Sequence, residues 1–204
     1  MISFNLTGST RRKHGFLKLA FGLASFALFQ ANPALATPKI ILIIRHGEKV
    51  VTPDGDENSG DLTPKGLARA AALATAIPKN FPRPDFIFAA ANSKKSHRVV
   101  DTVTPLSKAL GEPLDTDFKN KEFADLAQEV LTDPKYDGKV VLIAWHHGHI
   151  PELAHALGAT QAPDEWDPTV FDRVWVLTYH GATPTWRDEP EKALPGDSTA
   201  SWGK

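Results

Sequence analysis

Ile40-Ile41-Leu42-Ile43-Ile44 is an apolar run, mostly β-branched, that passes without a break into Arg45-His46-Gly47-Glu48-Lys49. A short run that is apolar at every position reads as a strand buried on both faces of a parallel sheet. Such a strand delivers Arg45 and His46 to its carboxyl end, the edge at which open α/β sheets bind ligands. Imidazole can act as a nucleophile, and guanidinium grips phosphate oxygens in a planar fork, so the pair suits phosphoryl chemistry. A charged pair at a surface turn gives the same Arg-His-Gly, and the rest of the chain must separate the two readings.

Val140 to Trp145 repeats the arrangement. This second buried run leads straight into His146-His147-Gly148-His149, after which Ile150, Leu153, Ala154 and Leu157 open a helix. A helix start supplies free N–H groups and a positive dipole end, both suited to an anion. A third cation, Arg98, follows the strand ending near Ala90 and opens a helix faced by Val99, Val103 and Leu106. Each feature alone has an ordinary reading as a turn or solvated helix residue. Their joint arrival at one sheet edge points to a site.

Strand and helix periods alternate over residues 39–180, the mark of a parallel sheet with crossover helices. The strands are expected at Lys39–Ile44, Asp85–Ala90, Lys139–Trp145 and Arg173–Tyr179. Helical spacing groups Leu67, Ala70, Ala71, Ala74 and Ile77 on one apolar face, Val99, Val103, Leu106 and Leu110 on another, and Phe123, Leu126, Ala127 and Val130 on a third. Thr63 reads as an N-cap with Pro64 in the first helical position and Leu62 and Leu67 as a hydrophobic staple, the helix ending near Pro78. Residues 51–61 are expected to form a mobile loop beside the site. The tail from Thr183, with Pro184, Pro190 and Pro195, is expected to be irregular. Trp166, Trp175, Trp186 and Trp202 suit either core or a substrate platform, and core is expected for Trp175.

Arg11-Arg12-Lys13-His14, the apolar stretch Phe16–Phe29 and Ala34-Leu35-Ala36 follow the order of a secretory signal, so residues 1–36 are expected to be a signal peptide and 37–204 one domain. The apolar stretch falls short of the roughly 20 residues of a spanning helix, which makes an uncleaved anchor the secondary reading. Thr10-Arg11-Arg12 with Phe16-Leu17-Lys18 is similar to a twin-arginine signal apart from two extra residues. The expected location is the bacterial periplasm or the exterior. Without residues 1–36, Lys+Arg falls from 23 to 19 against 24 Asp+Glu, which argues against nucleic acid or an anionic membrane as partner. There is no cysteine, so disulfides and thiolate chemistry are excluded. Nothing in the pattern specifies an oligomeric state.

Arg45-His46-Gly47-Glu48, Leu62-Thr63-Pro64-Lys65-Gly66, Arg98 with Thr102, and the strand-then-His segment Val140–Gly148 together resemble the histidine phosphatase superfamily, the phosphoglycerate-mutase-like fold, in its small single-domain branch. The resemblance implies a three-layer α/β sandwich, a mostly parallel sheet with helices on both faces. It also implies a phosphatase that hydrolyses a small phosphomonoester by double displacement without a metal or other cofactor. His46 would carry the phosphoryl group, and Arg45, Arg98 and a second histidine would surround its oxygens; Glu48 and Lys49 would line the substrate site. Spacing to the following helix suits His146 as that second histidine. The Trp145-x-His147 arrangement, with Gly148 directly after, favours His147.

An alkoxide leaving group needs a proton donor. Glu122, 24 residues after Arg98, is a candidate acid, with Asp117 and Asp125 as rivals and solvated surface charge as the alternative for all three. The neighbouring arginines should push both histidines toward the neutral form, giving a slightly acidic to neutral optimum. The competing readings are a phosphohistidine protein phosphatase, a phosphoglycerate mutase, a phospho-ligand binding protein without turnover, and a metal site at His146, His147 and His149.

Overall fold

A computed structural model describes residues 36–49 and 60–201. The signal peptide read over 1–36 (all but its last residue), most of the loop read over 51–61, and Trp202 lie outside the described residues. The elements run β1 Ile40–Arg45, α1 Pro64–Asn80, β2 Phe86–Ala89, α2 Arg98–Leu110, β3 Leu114–Asp115, α3 Phe123–Thr132, β4 Val140–Trp145, α4 Ile150–Ala156, β5 Arg173–Tyr179 and β6 Pro184–Pro190. They form one six-stranded sheet in the order β3-β2-β4-β1-β5-β6. The helices pack in two pairs, α1 with α2 and α3 with α4.

The apolar runs become the central strands. Ile41–Ile44 and Val141–Trp145 are fully buried between neighbours on both sides, each Leu or Ile contributing about 1.5–3 kcal/mol of burial. β1 and β4 pair in parallel from Ile40 with Val140 to Arg45 with Trp145. Strands β3, β2, β4 and β1 share one direction.

β5 departs from the expected parallel set and pairs antiparallel with β1, Ile44 opposite Val174. The physical cause is the connection before it. α4 has only seven residues, and the irregular stretch after it brings the chain back to the carboxyl edge of β1, where β5 then starts. The tail expected to be irregular instead forms β6, antiparallel to β5 over Arg173–Tyr179. Its prolines stand at the two ends of an edge strand, where a missing N–H is tolerated, and Trp186 turns inward against Trp175, whose ring also meets Trp166. All three tryptophans are buried core.

The α1 face is rotated from its expected position. Gly66, Arg69, Ala70, Leu73, Ala76 and Ile77 are buried, whereas Leu67 is 57% exposed. Many alanines give the helix little apolar contrast, and a buried arginine occupies a position that periodicity assigns to solvent. The cap is as expected: Thr63 Oγ1 accepts from Gly66 N–H at 3.0 Å, with Pro64 at the first position. The helix continues through Pro78 to Asn80. The apolar faces of α2, α3 and α4 turn to the core as the spacing requires, with Leu110 and Phe123 half-buried at its margin. Among the described residues no helix is long and apolar enough to cross a membrane.

Candidate active site

The site lies one residue past the ends of β1 and β4. Because Arg45 pairs with Trp145 in parallel register, His46 and His146 follow side by side, and His46 N–H extends the ladder to Trp145 O at 3.2 Å. Their rings meet edge to face with centroids 5.4 Å apart. His147 is the next residue along, on a 3-10 turn.

His46 is 1% exposed. Its Nδ1 donates to the carbonyl of Gly47 at 2.7 Å, which leaves the lone pair on Nε2, the tautomer a nucleophile requires. The following amide, Gly47 N–H, donates to Thr102 Oγ1, and that hydroxyl donates to Arg98 O. Thr102 thereby couples the loop that carries His46 to the start of α2, where Arg98 is set.

Gly47 and Gly66 interlock. A Cβ on Gly66 would stand 2.4 Å from Glu48 O, and one on Gly47 would stand 2.9 Å from Gly66 O. Two of the motifs, Arg-His-Gly-Glu and Thr-Pro-Lys-Gly, are thus one packing unit, stitched further by Thr63 N–H donating to Glu48 O at 2.9 Å.

Arg45 is buried, with Nη1 donating to Pro168 O at 2.7 Å and Val170 O at 2.9 Å and its guanidinium 3.8 Å over the Phe171 ring. Its Nε and Nη2 are buried and have no hydrogen-bond partner among the described residues. Unmade bonds of that kind are costly, and an anion would satisfy them. Phe171 and the 168–170 carbonyls were not legible as site components, since nothing local in that segment resembles a motif.

Electrostatics follow from burial among cations. Burial first, then Arg45, His146 and Arg98, hold His46 well below the usual imidazole value despite its bond to Gly47. Burial, Arg98 and the neighbouring histidines pull His146 down to about 4; burial with Arg45, Lys49 and Arg98 does the same to His147. Burial and Arg98 lower Arg45 to about 10, and burial lowers Arg98. Lys49 is lowered by burial and by the same two arginines.

Glu48 points its carboxylate into a different set of contacts. Arg69 grips it in a fork, Nε to Oε2 at 3.1 Å and Nη2 to Oε1 at 2.9 Å, and also binds Glu191 and Asp197; Lys65 adds a contact to Glu48 at 3.1 Å. Burial opposes ionisation of Glu48, but these bonds outweigh it and hold the carboxyl low. Arg69, which sequence reasoning did not single out, therefore anchors the residue two places after His46. Its partners lie up to 128 positions away, beyond any local signal.

Arg98, His146 and Glu122 line one cavity of about 1100 Å³. Glu122 accepts from Lys119 N–H at 2.8 Å and contacts Lys119 Nζ at 3.0 Å, which keep it ionised. A smaller cavity of about 290 Å³, under Trp166 and Trp175, contains none of the strand-end histidines. Among the described residues no three His, Cys, Asp or Glu side chains are grouped to hold a metal, so His146, His147 and His149 do not converge on one.

No protein-family model and no curated protein sequence matches the chain. Solved structures match its fold. The protein histidine phosphatase SixA complexed with tungstate is 12% identical, with 74% of this chain and 97% of that one covered and a TM-score of 0.50. A mycobacterial glucosyl-3-phosphoglycerate phosphatase is 17% identical over 74% of this chain and 97% of that one, TM-score 0.49. A phosphoglycerate mutase from Bacillus anthracis is 13% identical over 76% and 92%, TM-score 0.46. The chain thus shares the α/β fold of the SixA structure.

Proposed function

We propose that this protein is a metal-independent phosphatase that transfers a phosphoryl group from a small phosphorylated substrate, phosphomonoesters included, to His46 and then to water. The observation that carries this reading is the pairing of Arg45's buried, unused Nε and Nη2 with a neighbouring imidazole whose Nδ1 is tied to Gly47. Nε2 of His46 attacks phosphorus, an N–P bond forms, and the bond to the leaving oxygen breaks. Water then attacks phosphorus, the N–P bond breaks, and its electron pair returns to Nε2. Arg45, Arg98 and His146 meet the charge on the phosphoryl oxygens in a water-poor site, where fixed donors count most. His146 is assigned here as the second histidine, because its ring is the one in contact with His46.

The basic-apolar-small order of residues 11–36 supports export to the periplasm or exterior as the setting of this activity. The test is hydrolysis of 4-nitrophenyl phosphate with and without a chelator. The expected result is turnover that survives chelation and falls by about a thousandfold or more in His46→Ala. Turnover unchanged in that variant overturns the assignment of His46, and turnover lost to the chelator overturns metal independence.

A further inference from the structure

The large cavity lined by His146, whose ring meets that of His46, carries more positive charge than one phosphoryl group needs. Lys94 and Lys95 come from the loop after β2, and Lys119 and Lys121 from the loop before α3. With Arg98 they bring five cations to a cavity whose one carboxylate is Glu122, in a chain of net charge −1. Among the described residues no carboxylate pairs with Lys94, Lys95 or Lys121, while Lys119 is taken by Glu122. A concave wall with this excess of positive charge focuses field on an anion. The wall is also held in place. Ala91 N–H donates to Phe118 O at 2.8 Å, Trp145 Nε1 donates to Asn120 O at 3.1 Å, and Ser93 bridges Ser96, so both lysine loops are pinned to each other or to the strand that carries His146.

Glu122 is the second observation. It is the one carboxylate lining the same cavity, and both its oxygens are engaged by Lys119. The wall therefore offers positive charge where an alkoxide would need a proton.

We propose that the preferred substrate is a phosphoanhydride, such as an inorganic oligophosphate or a nucleoside diphosphate, whose departing phosphate is received by the lysine wall. This rests on the phosphatase reading above. In the first step the bond between the terminal phosphorus and the bridging oxygen breaks as the His46 N–P bond forms. The electron pair stays on the bridging oxygen of the departing phosphate, a stable anion that leaves without a proton and is neutralised by Lys94, Lys95 and Lys121. Water then releases orthophosphate from His46.

The experiment compares kcat/KM for tripolyphosphate, ADP, glycerol 3-phosphate and 4-nitrophenyl phosphate in metal-free buffer. The wild type and the triple variants Lys94→Gln/Lys95→Gln/Lys121→Gln and Lys94→Arg/Lys95→Arg/Lys121→Arg are tested. The expected result is a preference for the anhydrides over glycerol 3-phosphate of about tenfold or more. That preference weakens with added salt, collapses in the glutamine variant and is retained in the arginine variant. Equal or better turnover of glycerol 3-phosphate, or a preference untouched by the glutamine changes, overturns the inference while 4-nitrophenyl phosphate hydrolysis leaves the phosphatase reading standing. No release from any probe, the aryl phosphate included, overturns both.

Discussion

His46 and His146 meet edge to face, ring centroids 5.4 Å apart, because the parallel register that couples Arg45 to Trp145 leaves each histidine one residue past its own strand. His147 already lies on the 3-10 turn that follows, so this register separates His146 from His147 more sharply than motif spacing does. His146→Ala should lower kcat by about 10²–10³-fold, the scale of losing one preorganised donor to the phosphoryl oxygens. His147→Ala should cost clearly less. Steady-state kinetics of the two variants on an aryl phosphate checks this, and the reverse order would restore His147, the residue favoured by the Trp-x-His-Gly arrangement.

Arg45 splits its guanidinium between structure and ligand, Nη1 on the carbonyls of Pro168 and Val170, Nε and Nη2 left toward an anion. A lysine has no second edge with which to do both. Arg45→Lys should therefore raise KM and lower kcat together, with kcat/KM down by about a hundredfold or more, although positive charge is retained. A change within a few-fold would show that charge alone suffices.

Gly66 has no room for a side chain, since its Cβ would meet the backbone of Glu48 at 2.4 Å. Gly66→Ala should destabilise by about 1–3 kcal/mol, as overpacking does, and should reduce turnover by shifting the loop that carries His46. Gly148, whose Cβ would meet nothing within 4 Å, is the control: Gly148→Ala should leave stability within about 0.5 kcal/mol of wild type. Denaturant titration of both variants decides it.

Glu191 is fully buried, and burial first, with Asp197 and Asp172 adding, raises its carboxyl from 4.5 to about 8 against the pull of Arg69. A carboxyl raised in the fold holds a proton that the unfolded chain releases, so its stabilising contribution is full below 4.5 and is lost as pH rises through about 8. His146 and His147 act in the opposite sense, losing stability as pH falls from 6.5 toward about 4, while His97, raised by its bond to Asp101, adds to the loss above 6.5, so the difference between wild type and Glu191→Gln reports Glu191. Thermal melts should show wild type weakening from pH 6.5 to 9 by more than Glu191→Gln, which mimics the protonated form. A flat wild-type profile would contradict the raised carboxyl.

The parts of this molecule that were legible in the sequence are those with strong local contrast. The apolar runs ending in Arg45-His46 and His146 announce central strands and the edge they reach, and α2, α3 and α4 bury the faces their spacing predicts. Where contrast is weak the reading slips. Alanine-rich α1 is rotated, with Leu67 outside and Arg69 inside, because long-range carboxylates and not periodicity decide the fate of that arginine. β6 hides behind its prolines, and the reversal of β5 follows from the shortness of α4, which no residue of β5 itself records. Within the candidate site, His46, Arg45, Arg98 and His146 come from the motifs, and the fold places them near one another. Glu48 turns instead to Arg69, Phe171 enters from a segment without a motif, and Glu122 is engaged by Lys119.

The central claim is a phosphoryl group carried on His46, and intact-protein mass spectrometry tests it most directly. The protein is mixed with 4-nitrophenyl phosphate and quenched rapidly at alkaline pH, for wild type and His46→Ala. The account predicts a single phosphoryl adduct on the wild type that is absent from the variant. Phosphate release with no adduct on the wild type, or an adduct that persists in His46→Ala, would contradict it.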